Sequence, residues 1–186
     1  MGENASMIEK SKKHDDRRAK RTKSLIFGAF AELVQSQRFD EIRTLEIIDK
    51  AGVGKSTFYE HFSDKNDVLC QSLEYPMSVF ADALTGNADT ERVDHMLGHF
   101  WQRRAFARII LSHPTREVVE RTLKNLITAR LGGEHENGTP DFDAARASFL
   151  TSGFLSLLSD WLSGKIATDK SNLRVWLKHF SFPSSM

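Results

Sequence analysis

The glycines at positions 52 and 54 constrain this chain more than any other feature. Glycine accepts the left-handed backbone of a sharp turn, so a helix arriving at Gly52 ends there. On its N-terminal side Leu45, Ile47, Ile48 and Ala51 fall on one helical face, and Thr44 reads as the N-cap. On its C-terminal side Lys55 to Phe62 reads as a second helix of about two turns, dense in short hydrogen-bonding and cationic side chains. Two short helices about a glycine turn, the second exposing Lys, Ser, Thr, Tyr and His, form the helix-turn-helix pattern. Its second helix enters the DNA major groove.

The same residues invite a rival reading. Gly-Val-Gly-Lys-Ser-Thr ends like a phosphate-binding P-loop, GxxxxGK[ST]. That template requires glycine five residues before Gly54, where Asp49 stands, and a carboxylate there repels phosphate. It also requires a preceding buried strand, whereas Leu45 to Ala51 has helical spacing and two acids. A P-loop nucleotide-binding enzyme is therefore the disfavoured alternative.

Only four prolines and long stretches of helical periodicity indicate an all-α fold. Net charge is only +1, but its distribution is uneven: between Lys10 and Lys23 stand eight cations against two acids, Asp15 and Asp16. A charge run is commonly a solvated arm; directly before a helix-turn-helix it reads as a phosphate-binding extension. The single cysteine, Cys70, excludes an internal disulfide and suits a reducing cytoplasm. With no signal-like N-terminal run and no apolar stretch near eighteen residues, the expected location is cytoplasmic, with no membrane partner.

In order along the chain, residues 1–15 are expected to form a flexible basic arm. Residues 16–66 form a three-helix DNA-binding domain and residues 67–186 a second helical domain. The first helix is expected over about 17–37, with Leu25, Ile26, Ala29, Phe30, Leu33 and Val34 on one face. Phe39 and Ile42 close the small core against Leu45, Ile48, Val53, Phe58 and Phe62. Ser63-Asp64 caps a helix from near Lys65, with a kink or break at Pro76. One long helix is then expected from Asp89 or Thr90 to before Pro114, another over 115–131, a polar loop over 132–140, and helices over 142–164 and about 171–180.

Thr22-Lys23 with Ile26, Ala29 and Leu33, then Phe39, Thr44, Ala51-Gly52-Val53, Lys55, Thr57, Phe58-Tyr59, His61-Phe62 and Lys65 resembles the DNA-binding domain of the TetR family of transcriptional regulators. The resemblance covers roughly residues 20 to 69. It departs from the family at Arg38, where glycine is frequent, and at Gly54, where serine is frequent. It implies a C-terminal domain that binds an effector and dimerises through its last two long helices.

The DNA-contact candidates are Thr22, Arg43, Thr44, Lys55, Ser56, Thr57, Tyr59, His61 and Lys65. Ser56 and Thr57 are short enough to bring base edges within reach, while Lys55 and Tyr59 reach phosphates. Thr44 and Lys65 stand at helix starts, where free N–H groups favour a phosphate. Without the motif, Tyr59 and His61 would read as an ordinary solvated face. Met96, Phe100, Phe106, Phe149 and Phe154 are candidates to line an apolar effector cavity, against the bland reading that they are core. Leu157, Leu158, Trp161, Trp176 and Phe180 look like surplus apolar surface that a homodimer would bury. His95 and His99 share a helical face with His113 downstream, but no Glu-x-x-His or Cys partner accompanies them, so no metal site is read. No Ser/His/Asp or Cys/His constellation suggests a nucleophile, so neither catalysis nor a cofactor is expected.

Taken together, the expectation is a two-domain, homodimeric, sequence-specific regulator, a ligand-responsive repressor on a palindromic operator. Its alternative within the class lacks the small-molecule effector, and its C-terminal domain only dimerises or binds a protein partner.

Overall fold

The computed structural model describes residues 2–132 and 139–181, with side chains from residue 16 onward. Among the described residues it contains nine helices and no strand, as the proline-poor, helix-periodic sequence requires. The chain divides into two compact units, Met1–Leu69 and Cys70–Met186.

In the first unit α1 spans Gly2–Ser36, α2 Thr44–Ala51 and α3 Lys55–Tyr59, and α4 starts at Lys65. Helix α1 begins fifteen residues earlier than the expected start near Arg17, because residues 3–16 contain neither glycine nor proline to stop it. Ile26, Ala29, Phe30 and Val34 of α1 are buried against Ile47 and Ile48 of α2 and against Phe39, Ile42, Phe58 and Phe62. Two members of the expected core do not join it. Leu25 and Leu45 are 47% and 45% exposed, since a helical face satisfies its neighbours over a narrower arc than the run of apolar residues covers.

In the second unit α4 runs on to Leu84 without interruption, keeping Pro76 inside it rather than breaking there. It is followed by α5 (Thr90–Gln102), α6 (Arg104–Ile110), α7 (Thr115–Leu131), α8 (Pro140–Leu162) and α9 (Lys170–Phe180). The single helix expected from Thr90 to before Pro114 is split at Arg103, whose φ of −107° and ψ of 29° are not helical. Asp89 caps α5 by accepting from the N–H groups of Glu91 and Arg92 at 2.9 and 3.3 Å. Thr139 caps α8, and Pro140 opens it where a missing N–H costs nothing. Of the polar loop expected over 132–140, residues 133–138 lie outside the described residues.

Helices α7 and α8 pack along each other, α9 packs on α5, and α6 lies against α7 and α8. The shared core includes Phe80, Leu97, Val119, Leu123, Ile127, Leu155, Leu158 and Leu173, all buried. Arg130 of α7 clamps onto α4: its Nε donates to Asp82 Oδ1 at 2.6 Å and one Nη to Ser78 Oγ at 2.8 Å. Arg174 of α9 does the same for α5 through Asp94, 2.7 Å away.

Candidate nucleic-acid interface

Helix α2 is held at both ends by local bonds. The Glu46 carboxylate accepts from the Arg43 backbone N–H at 2.7 Å, and that bond holds the carboxyl below its usual range. Arg43, not Thr44, is the residue at the N-cap; its extended backbone turns the chain into the helix, and Thr44 is the first helical residue. At the other end Gly52 takes φ 64° and ψ 32°, and the N–H groups of Gly52 and Val53 return to Asp49 and Ile48. This is a Schellman closure, and it turns the chain directly into α3.

Gly54 is the N-cap of α3, in an extended conformation and without any side chain to offer. The five-residue helix continues as a turn, with the N–H groups of Glu60, His61 and Phe62 bonded back to Ser56 and Phe58. Phe58 and Phe62 are buried and anchor it, Phe62 meeting the edge of Phe27 with ring centres 5.5 Å apart. Opposite this anchor Lys55, Ser56 and Tyr59 are exposed, while Thr57 and His61 are half-buried. Tyr59 is 55% exposed although its ring edge rests on Phe58, so its hydroxyl end is free to reach outward. The Thr57 and Ser56 hydroxyls flank Gly54, 3.7 and 3.9 Å from where a side chain on it would begin. One small surface thus presents a cation, two short hydroxyls and a phenol.

The remaining candidates are placed differently. Arg43 is exposed beside this surface and pairs with Glu46 at 3.5 Å. Thr22 is buried on α1, only 8% exposed. Lys65 does not offer a free ammonium: its Nζ donates to the carbonyls of Phe39, Asp40 and Ile42 at 2.8, 3.0 and 2.7 Å. Nor are the first N–H groups of α4 open to an anion, since Asp64 Oδ1 accepts from Asn66 and Asp67 at 2.7 and 2.9 Å. A carboxylate occupies the place a phosphate would take. At Arg38 the guanidinium makes two 3.2 Å bonds to Asp40 on the exposed bend.

In the second unit Met96, Phe100 and Phe154 are buried and Phe106 is half-buried. Phe149 does not line an interior: it is 70% exposed, while Ala147, Leu150 and Thr151 are the buried positions of that turn of α8. In its place stands Phe80 of α4, whose ring packs 5.4 Å from Phe100 and 4.7 Å from Phe154. The surplus apolar set also divides. Leu158 and Trp161 are buried within their own chain, Trp161 stacking on Trp101 at 4.8 Å and donating to the Thr168 carbonyl. Leu157 is half-buried, whereas Trp176 and Phe180 remain exposed, together with Phe142, Phe149 and Val175. His113 pairs with Glu117 at 3.4 Å, and among the described residues no three His, Cys, Asp or Glu side chains gather as a metal site. No helix among the described residues is long and apolar enough to cross a membrane.

Residues 18–70 match the family model described as bacterial regulatory proteins, tetR family. That segment carries a DNA-binding domain of the tetR type. A solved TetR transcriptional regulator from Streptococcus agalactiae 2603V is 26% identical, with 90% of this chain and 98% of that one covered at a TM-score of 0.52. A TetR-family regulator from Syntrophomonas wolfei str. Goettingen shares the fold at 19% identity, with 87% and 93% covered and a TM-score of 0.52. The dihydroxyacetone kinase operon activator DhaS shares it at 15% identity, with 85% and 92% covered and a TM-score of 0.51. No curated protein sequence matches the chain. The TetR-family match spans α2, the glycine turn and α3, the elements that build the exposed Lys55–Tyr59 surface.

Proposed function

We propose that this regulator binds a roughly palindromic operator as a homodimer and acts as a ligand-responsive repressor. The observation that carries the reading is α3 itself, whose exposed Lys55, Ser56 and Tyr59 stand opposite a buried Phe58 and Phe62. In this role Lys55 and Tyr59 meet phosphates and position the helix, while Ser56 and Thr57 touch base edges. His61 and Arg43 flank the contact, and Thr44 opens α2 toward the backbone. Dimerisation uses the apolar groups that the fold leaves uncovered on α8 and α9, chiefly Phe149, Trp176 and Phe180. Two copies then place their recognition helices about 34 Å apart, one DNA turn. An effector acts by preferring the arrangement that does not fit the operator.

One observation favours a second reading, a regulator without a small-molecule effector. The rings of Phe80, Phe100 and Phe154 pack on one another in the region where an effector cavity was expected. In that case the second unit only dimerises or binds a protein partner.

The test is fluorescence anisotropy on duplexes tiled across the DNA flanking the coding region, at two salt concentrations with random DNA as competitor. Salt-sensitive, competitor-resistant binding to one palindromic stretch is expected, with two chains per duplex by sedimentation. A monomer at micromolar concentration overturns the dimer, and uniform weak binding to every fragment overturns the operator. Thermal shifts with candidate small molecules separate the two readings of the second unit.

A further inference from the structure

We propose that the Thr151 hydroxyl, on the buried face of α8, is the polar anchor for an effector that is neutral and largely apolar and carries one hydroxyl or carbonyl group. The inference rests on the ligand-responsive reading above and adds to it the chemistry of the ligand.

Thr151 is fully buried, and its Oγ1 has no hydrogen-bond partner. A threonine or serine inside a helix has an acceptor at hand, the carbonyl four residues back. Thr122 and Thr128 of α7 donate to the carbonyls of Val118 and Lys124 at 2.8 and 2.9 Å, and Ser148 of α8 donates to that of Ala144 at 3.0 Å. The Thr151 side chain leaves the corresponding carbonyl of Ala147 alone. A hydroxyl taken out of water without a partner costs the fold stability that a valine of the same shape would not. Thr151 therefore holds an unused donor and acceptor inside the second unit.

The surroundings select the ligand. Thr85 and Thr115 are also buried in this unit, but both are engaged. Thr85 Oγ1 donates to the Ala81 carbonyl at 2.9 Å, and Thr115 Oγ1 lies 3.0 and 2.9 Å from the carbonyls of Ile109 and Ser112. No Asp, Glu, Lys, Arg or His is buried among the described residues. An ionised ligand would find no counter-charge in this core, and burying an unpaired charge costs far more than burying a hydroxyl. The ligand is therefore neutral. Its body is apolar, since Ala147, Leu150, Phe154 and Leu155 are the buried side chains around Thr151 on α8. Phe154 follows three residues later on the same face, and its ring packs on Phe80, which in turn meets Phe100. No polar bond holds these rings in place. A ligand that displaces one of them exchanges apolar contact for apolar contact, and gains the hydrogen bond that the resting core lacks.

The test compares the full natural chain with Thr151→Val and Thr151→Ser in thermal melts followed by circular dichroism. The neutral probes are octanol and para-propylphenol, and their anionic counterparts are octanoate and para-propylbenzoate, all at one sub-millimolar concentration. Without a probe, Thr151→Val should melt about 2–6 °C above the natural chain, because the unpartnered hydroxyl is gone. The neutral probes should raise Tm for the natural chain and for Thr151→Ser, which keeps the hydroxyl. They should bind Thr151→Val about three- to ten-fold more weakly, and the anionic probes should raise Tm for none of the chains. If Thr151→Val melts below the natural chain without a probe, the hydroxyl is bonded in the resting fold and the proposal is overturned. Equal binding of the neutral probes to the natural chain and Thr151→Val, or a response to the anionic probes alone, overturns it and leaves a regulator responsive to another chemistry. No response to any probe also overturns it, and leaves the rings of Phe80, Phe100 and Phe154 as closed core.

Discussion

The Lys65 ammonium lies 2.7 Å from the Ile42 carbonyl oxygen, and the same group holds the carbonyls of Phe39 and Asp40. One cation thus closes the bend between α1 and α2 from the first turn of α4, with the Phe39 ring 4.9 Å beneath it. The Phe39 carbonyl also accepts from the Ile42 N–H at 3.3 Å; at the Asp40 and Ile42 carbonyls the ammonium supplies a donor that the bend itself does not, which gives the lysine its structural role. Lys65→Met keeps the aliphatic stem and removes the donor. It should destabilise the chain by about 1.5–3 kcal/mol and lower Tm by roughly 5 °C. At a temperature where the variant is folded, the slope of operator affinity against salt should match the natural chain. A slope reduced by about one would instead assign Lys65 to a phosphate.

Tyr59 and Thr57 sit on the same short helix but at different depths, the first exposed and the second half-buried beside Gly54. Tyr59→Ala should weaken binding to specific and random DNA by similar factors, as the loss of a positioning contact does. Thr57→Ala should narrow the ratio of specific to random affinity, by about 1–3 kcal/mol if its contact is to a base edge. Competition titrations read both. Equal loss on the two kinds of DNA for Thr57→Ala would remove it from base recognition.

Gly52 and Gly54 answer differently to an added side chain. Gly52 has a positive φ, so Gly52→Ala should cost about 1–2 kcal/mol and loosen the turn. Gly54 has an extended backbone, and a Cβ there would meet nothing closer than 3.7 Å. Gly54→Ser adds the missing cap to α3 and reduces the freedom of the unfolded chain. It should raise stability by about 0.5 kcal/mol, a Tm increase of 1–2 °C by differential scanning calorimetry.

His99 supplies a pH dependence. Partial burial first, then the neighbouring charges of Arg103 and His95, hold its imidazole below the usual value of 6.5. The folded chain therefore binds this proton less readily than the unfolded chain. Its contribution to stability is present above pH 6.5 and is lost as pH falls through the lower folded value. His99→Gln should flatten the decline in Tm on passing from neutral to mildly acidic buffer. An identical decline in both chains would show that other groups carry it.

Much of the first unit was legible in the sequence because its signals are local. Gly52 ends α2 by a backbone rule, and Ser63-Asp64 announces α4 through short-range caps. What depends on distant partners was not legible. The acceptors of the Lys65 ammonium are 23 to 26 residues away, and no spacing reveals them. Leu25 and Leu45 show that periodicity identifies the apolar stripe but not how far a neighbour covers it. The break between α5 and α6 falls at Arg103 without glycine or proline to announce it. Leu158 and Trp161 looked surplus because Trp101 and the Thr168 carbonyl could not be known to meet them. Phe80 was missed because it lies past Pro76, where the helix was expected to bend.

Every tryptophan of the chain, Trp101, Trp161 and Trp176, falls in the second unit, and the first unit's single tyrosine is Tyr59. Light absorbed selectively by indole is therefore emitted by residues 70–186 alone. The stacked pair of Trp101 and Trp161 makes that emission sensitive to the join between α5 and α8. A melt followed by indole fluorescence and again by circular dichroism would follow different parts of one molecule. Any gap between the two curves would report how independently the DNA-reading unit unfolds, with no label attached.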